Sequence, residues 1–101
     1  MIRPSEKNRA SLKIVLADND SYMRQGLRNA LASEGYRDVR AVGRVSVVRD
    51  SVITTPPDLL IIDVDTPDGD AIALVSEIRD GKWGKNPFLS VILITWDSDP
   101  V

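Results

Sequence analysis

Neither cysteine nor histidine occurs in this 101-residue sequence. Without cysteine there is no disulfide, no thiolate metal site and no thiol nucleophile. Without histidine the commonest general base and the commonest metal ligand are both missing. Any bound metal would have to be held by oxygen atoms, which points to a hard cation such as Mg2+. Neither charge sign dominates: 13 basic residues face 15 acidic ones for a net charge of -2, so charge alone does not mark a nucleic-acid binder. No apolar run approaches the roughly 20 residues that cross a bilayer, and no signal peptide opens the chain, so a cytoplasmic location with no membrane contact is expected.

What remains is the composition of a globular protein. Apolar residues make up 43% of the chain and charged residues 28%, enough for one small domain around one core. Residues 1–11 are polar, with Arg3, Pro4, Glu6, Lys7 and Arg9, and are expected to form a flexible lead. The domain proper is expected over 12–101. Three apolar runs stand out within it: 12–17 (LKIVLA), 59–64 (LLIIDV) and 91–95 (VILIT). Each is short, rich in β-branched residues and nearly unbroken, the pattern of strands buried on both faces of a parallel sheet.

Helical patterns fill the intervals. Over Ser21–Ser33, Met23, Leu27, Ala30 and Leu31 recur at close to 3.6 residues, with Asp20 or Ser21 as N-cap and Gly35 as the stop. Asp70 can cap a helix over Ala71–Arg79, with Ile72, Val75 and Ile78 along one face and Gly81 at its end. Residues 39–42 read as a further strand. The 44–55 segment, with Val45, Val47, Val48, Val52 and Ile53, has strand propensity but stands where an alternating pattern needs a crossover helix. Helix is the choice here, ended by Pro56 and Pro57. The order β-α-β-α-β-α-β defines an α/β, doubly wound parallel sheet.

In open α/β sheets ligands bind beyond the carboxyl ends of the strands, and acids collect there in this chain. Asp18 and Asp20 follow the first run; Asp63 and Asp65 close the second. A crossover makes those two strands neighbours, so the acids would converge. Such a cluster is unfavourable on its own and useful around a divalent cation, where one carboxylate could attack the phosphorus of a phosphoryl group. Thr95 would bring a hydroxyl to the same place. Asp20 and Asp70 serve equally well as plain helix caps. Asp63 does not: it follows four apolar residues and precedes Val64, at the mouth of a buried strand where a lone charge is costly.

The stretches KIVLADNDSYMRQGLRNALASEGY, PPDLLIIDVDTPDGDAIALVSEIR and NPFLSVILITWD resemble the receiver domains of two-component response regulators. The resemblance runs over about 12–101. It implies a flavodoxin-like receiver fold, Mg2+ as cofactor, and a phosphoryl group accepted from a sensor histidine kinase or a histidine phosphotransfer protein. Asp63 matches the phosphoacceptor and Asp18 the first acid of the metal-binding pair. Asp65 matches the position whose backbone carbonyl helps bind the metal. Thr95 matches the hydroxyl that senses the phosphoryl group, Pro67 the loop-shaping proline and Tyr36 a packing aromatic.

Several positions depart from that pattern. Asn19 stands at the second acid, where an amide oxygen can ligate Mg2+ only without charge; Asp20 next door could compensate. Ala71 replaces a common glycine. Trp96 replaces a small residue and either crowds the entrance to Asp63 or turns outward as a binding surface. After Asp97, Asp99 and Pro100 read as the start of another helix. The family's last helix-strand-helix portion is not in the sequence, nor are its lysine and its aromatic switch residue. The fourth strand would then be an open apolar edge, with homodimerisation through it as the expectation.

Three functions fit these residues. The first is a phosphorylated signalling receiver, a regulated switch with only partial self-catalysis, which makes no direct nucleic-acid contact. The second is a phosphorylation-independent pseudo-receiver acting as an interaction module. The third is a phosphatase of the haloacid-dehalogenase type, prompted by Asp63-Val64-Asp65-Thr66. That reading leaves Asp18 unexplained, and its threonine would have to lie one residue later.

Overall fold

The apolar runs become strands β1 (Lys13–Ala17), β3 (Leu59–Asp63) and β4 (Ser90–Ile94), and β2 (Asp38–Val42) lies between the first two in sequence. The structure, a computed structural model, describes residues 6–65, 69–84 and 86–95. Thr66, Pro67, Trp96, Asp97, Asp99 and Pro100, all singled out above, lie outside them. Four helices complete the order: α1 (Glu6–Ser11), α2 (Ser21–Ser33), α3 (Val45–Thr54) and α4 (Ala71–Arg79). Residues 6–11 of the expected lead form the short helix α1. Its last turn is tied to the next residue by a bond from the Leu12 N–H to the Asn8 carbonyl, 3.0 Å.

The sheet is parallel throughout, in the order β2-β1-β3-β4. Strand order reverses between β1 and β3, so the carboxyl ends of those two strands flank the crevice where α/β sheets bind ligands. Asp58 sets their pairing at the opposite end. Its carboxylate accepts the Lys13 N–H at 2.8 Å, and its own N–H donates to the Lys13 carbonyl at 2.8 Å.

Period-two alternation divides the strand residues between two cores. Val15, Ala17, Leu60 and Ile62 face α3 and α4, together with Trp83 and Leu89. Ile14, Leu16, Val39 and Ile61 face the other way, where Leu27 and Leu31 of α2 and Tyr36 cover them. The second layer is thin, and no residue of α2 is fully buried. On β4, Ile92 pairs in register with Ile61 yet stays 47% exposed.

The ambiguous 44–55 segment is helical because its valines match the helical period. Val45, Val48 and Val52, spaced three and four apart, are buried, while Val47 and Ile53 are exposed. Weak propensity is offset by a tertiary clamp. Arg40 on β2 donates to the Ser51 carbonyl (3.3 Å), the Ser51 hydroxyl (3.0 Å) and the Thr55 carbonyl, closing the open C-terminal turn. In α4 the expected face is corrected. Ala71, Leu74 and Ile78 are buried, Val75 is half-buried, and Ile72 is 59% exposed. Ile78 lies on the buried face as expected, while Ala71 and Leu74 replace Ile72 and Val75 there, and Ala71 is too small to look like an anchor in the sequence.

Leu60 is fully buried in the thicker core. Leu60→Ala should lower unfolding free energy by about 2–5 kcal/mol. Ile72→Ala should change it by less than about 0.5 kcal/mol. Urea denaturation followed by circular dichroism measures both, and equal losses would contradict the helix face described here.

Candidate functional site

Asp18 directly follows β1 and Asp63 is the last residue of β3. The β1–β3 register pairs Ala17 with Ile62, so the next residue of each strand is one of these aspartates. Both are buried, at 1% and 5% exposure, and they are the buried charged residues among the described ones. Their side chains lie within hydrogen-bonding reach of each other. Burial pushes the Asp63 carboxyl above its ordinary value of 3.8, and the charges of Asp18 and Asp65 push the same way. A hydrogen bond from the Asp65 N–H to Asp63 Oδ1, at 2.9 Å, works against that rise.

The loop after β1 is built around Asp18. Its backbone N–H donates to the Val42 carbonyl at 3.1 Å, which carries the β1–β2 ladder one residue further. Its Oδ1 accepts the Asp20 N–H at 2.9 Å. Asp20 is exposed, and its Oδ1 caps α2 by accepting from the N–H groups of Tyr22 and Met23. That oxygen serves the helix, and Asp20 does not join the buried pair. Asn19 is also exposed, and its Nδ2 donates to the Gly43 carbonyl at 3.4 Å, across to the loop after β2.

Thr95, just beyond β4, donates from its hydroxyl to Asp65 Oδ2 at 3.2 Å. Asp65 is exposed. The structure thus brings together Asp18 and Asp63, with Asp65 and Thr95 as an adjoining couple, while Asn19 and Asp20 point to other tasks. Among the described residues no three acidic side chains are grouped as a metal cage. Two buried carboxylates nevertheless suit Mg2+, which is held by one or two carboxylates and keeps several waters.

Arg24 was not apparent from the sequence. From the first turn of α2 its Nη1 donates to the Asp18 carbonyl at 2.7 Å. It also fills the space over Gly43, where an added Cβ would come within 3.0 Å of Nη1. Arg24 therefore links the two loops beside the carboxylates. Its signal was only its position, six residues after Asp18 on a capped helix.

Comparison with known proteins bears on this arrangement. The family model for the response regulator receiver domain matches residues 14–101. The chain belongs to that family. It is 27% identical over 88 residues to the KDP operon transcriptional regulatory protein KdpE of Escherichia coli K12, covering 87% of this chain and 38% of that protein. The chain thus spans well under half the length of that relative. Among solved structures it resembles the chemotaxis response regulator CheY4 of Vibrio cholerae, with a TM-score of 0.74 and 20% identity over 88% of this chain and 72% of that one. It also resembles the beryllofluoride-activated NtrC receiver domain, with a TM-score of 0.64 and 31% identity over 88% of this chain and 68% of that one. The fold is therefore the flavodoxin-like fold of receiver domains, and the domain is a signalling module of two-component systems. The dehalogenase-type reading finds no support. Among the described residues no helix is long and apolar enough to cross a membrane.

The raised Asp63 pKa has a definite sign in stability. Between 3.8 and the higher folded value, the folded state binds more protons than the unfolded state, so stability falls as pH rises through that window. Above it the destabilisation is complete, and below it absent. Asp63→Asn, which keeps an oxygen to accept the Asp65 N–H, should therefore be more stable than the parent at pH 7 without divalent cations. The gain should shrink toward zero near pH 4. Urea midpoints at the two pH values measure this, and a less stable variant at pH 7 would refute it.

Proposed function

We propose that this receiver domain accepts a phosphoryl group on Asp63 with Mg2+ as cofactor, and so switches an output in two-component signal transduction. The observation that carries the reading is the buried Asp18–Asp63 pair at the reversal point of strand order. Asp18 and Asp63 would hold the metal through their carboxylates, and Asp65 through its backbone carbonyl. When bound, Mg2+ offsets the mutual repulsion of the carboxylates and draws charge from the phosphoryl oxygens. An Asp63 carboxylate oxygen attacks phosphorus, the bond to the donor's leaving group breaks with its electron pair, and an acyl phosphate remains. Thr95 is the hydroxyl for the new phosphoryl oxygens, and reaching them requires it to give up Asp65. Exchanging that bond is a local change that can bias a conformational equilibrium.

The donor in this reading is a histidine kinase or histidine phosphotransfer protein, in the cytoplasm. The domain is a regulated switch, not a turnover catalyst. It makes no direct nucleic-acid contact of its own. Self-association is part of the same reading. Among the described residues β4 pairs with β3 alone, and its Ile92 and Leu93 are 47% and 43% exposed. Sedimentation velocity should detect concentration-dependent dimers, and a monomer at every concentration would remove this part.

A second reading has its own support. Asn19 brings no charge and its amide is turned to Gly43, while an Asp20 oxygen is engaged in capping. The metal site then has two charged ligands and weak affinity, as in a phosphorylation-independent pseudo-receiver used for protein contacts. Acetyl phosphate with Mg2+ separates the two. The first reading expects the mass increment of one phosphoryl group, lost in Asp63→Asn and on chelation of Mg2+. It further expects Asn19→Asp to tighten Mg2+ binding about tenfold, roughly the effect of one added unscreened charge. No phosphorylation by acetyl phosphate or by any histidine-phosphorylated donor would favour the second.

A further inference from the structure

Both polar groups of the Asp18 backbone are held by other elements of the fold. Its N–H donates to the Val42 carbonyl at the end of β2, 3.1 Å away. Its carbonyl accepts Nη1 of Arg24, in the first turn of α2, at 2.7 Å. With the Asp20 N–H on Oδ1 at 2.9 Å, Asp18 is fixed at its backbone and at its carboxylate. Arg24 is anchored in turn, because its own N–H donates to the Asp20 carbonyl at 2.9 Å. A cation in the first turn of a helix opposes the macrodipole. The charge-assisted bond to the Asp18 carbonyl is the stronger of the two effects, and it sets where the guanidinium lies.

Gly43 meets the same guanidinium from the loop after β2. Its φ is not left-handed, so its backbone does not call for glycine. Its surroundings do. A Cβ at this position would lie 3.0 Å from Arg24 Nη1 and 3.5 Å from Cζ. Apart from the residues on either side, the three nearest atoms all belong to Arg24. The guanidinium would have to withdraw by a few tenths of an ångström. The same Nη1 holds the Asp18 carbonyl, so a side chain at position 43 competes with that bond.

We infer that Arg24 is a positioning residue for Asp18, and that position 43 is glycine to leave room for its guanidinium. A carboxylate already held in one orientation loses less freedom when a cation arrives. For the metal this rests on the Mg2+-dependent reading above; the positioning itself is a property of the metal-free chain.

The test compares the 101-residue chain with Arg24→Met, Gly43→Ala and the double variant. Without divalent cations, Gly43→Ala alone should lower the urea midpoint, by about a fivefold change in the unfolding constant, the size of one net hydrogen bond. In the Arg24→Met background the same substitution should leave the midpoint unchanged or raise it, as alanine does where the backbone accepts it. Equal losses in both backgrounds would overturn the link between the two residues. In 15N spectra of the metal-free chain, Arg24→Met should move the Asp20 amide upfield as its bond to Asp18 Oδ1 weakens. An unmoved Asp20 amide would overturn the positioning role. Titration with Mg2+, followed by the same amides, should give a Kd about tenfold weaker in Arg24→Met, as for loss of a group that orients a metal ligand. That Kd reads folded molecules only, so lost stability alone would not move it, and an unchanged value would also count against the role. A parent chain that does not bind Mg2+ would sink the Mg2+-dependent reading, while the urea midpoints and the Asp20 amide would still decide this one.

Discussion

Two carboxylates side by side in a poorly solvated place repel each other, and no folded chain adopts that arrangement unless something stronger enforces it. Here the enforcement is the β1–β3 pairing. Ile14, Val15, Leu16 and Ala17 on one strand and Leu60 and Ile62 on the other are essentially solvent-free. Their burial fixes the register, because a slip of one residue would turn every side chain to the opposite face. The register that satisfies the apolar residues also sets Asp18 beside Asp63. Hydrophobic burial in the middle of the strands thus holds an electrostatically unfavourable pair at their ends. That imbalance raises the Asp63 pKa, so the protonation of the pair bears on stability.

The loops refine this arrangement with neutral dipoles and one cation. Asp18 Oδ1 takes the Asp20 N–H and Asp63 Oδ1 takes the Asp65 N–H, the same two-residue reach on each strand. Each bond fixes its carboxylate in orientation without adding charge to the pair. The cation, Arg24, meets the Asp18 backbone carbonyl. It holds the loop in place while leaving the carboxylate's own charge for another ligand. Asn19 and Gly43 complete the connection to β2. A substitution at Gly43 would therefore reach the carboxylates through Arg24 without touching them.

Much of this was legible in the sequence, for identifiable reasons. The strands were readable because parallel strands buried on both faces have unbroken apolar runs, and LKIVLA and LLIIDV are such runs. The bounds of α2 were readable because Asp20 and Gly35 act locally: one caps backbone N–H groups, and the other takes a φ of 95° that disfavours side chains. Asp63 was readable because a charge ending an apolar strand has few structural explanations. What escaped notice depends on contacts distant in sequence. The clamp from Arg40 to Ser51 and Thr55 makes a helix of a valine-rich segment, and nothing within 44–55 announces it. The inward face of α4 begins at Ala71, whose burial is set by the sheet beneath it. The bond between Thr95 and Asp65 spans 30 residues, and spacing could place the two at one end of the sheet but not choose the partner.

The two faces of the sheet differ in how heavily they are covered. Along β3, Ile61 and Asp63 lie in one row by period-two alternation, and Ile61 belongs to the thinner core under α2. Leu60 and Ile62 lie in the other row, beneath α3 and α4. The carboxylate pair therefore belongs to the lightly covered face, where no α2 residue is fully buried, and not to the densely packed one. On the lightly covered face the loop after β1 and the first turn of α2 are held by the Asp20 cap and the Arg24 bond, each worth about 1 kcal/mol or a little more. Disturbing the opposite face would mean disrupting buried valines and leucines at several times that energy. On β4 the exposure is on both faces: Ile92, in the row of Ile61, is 47% exposed and Leu93, in the row of Ile62, is 43% exposed. It therefore follows from the edge position of the strand among the described residues and not from the thin layer alone.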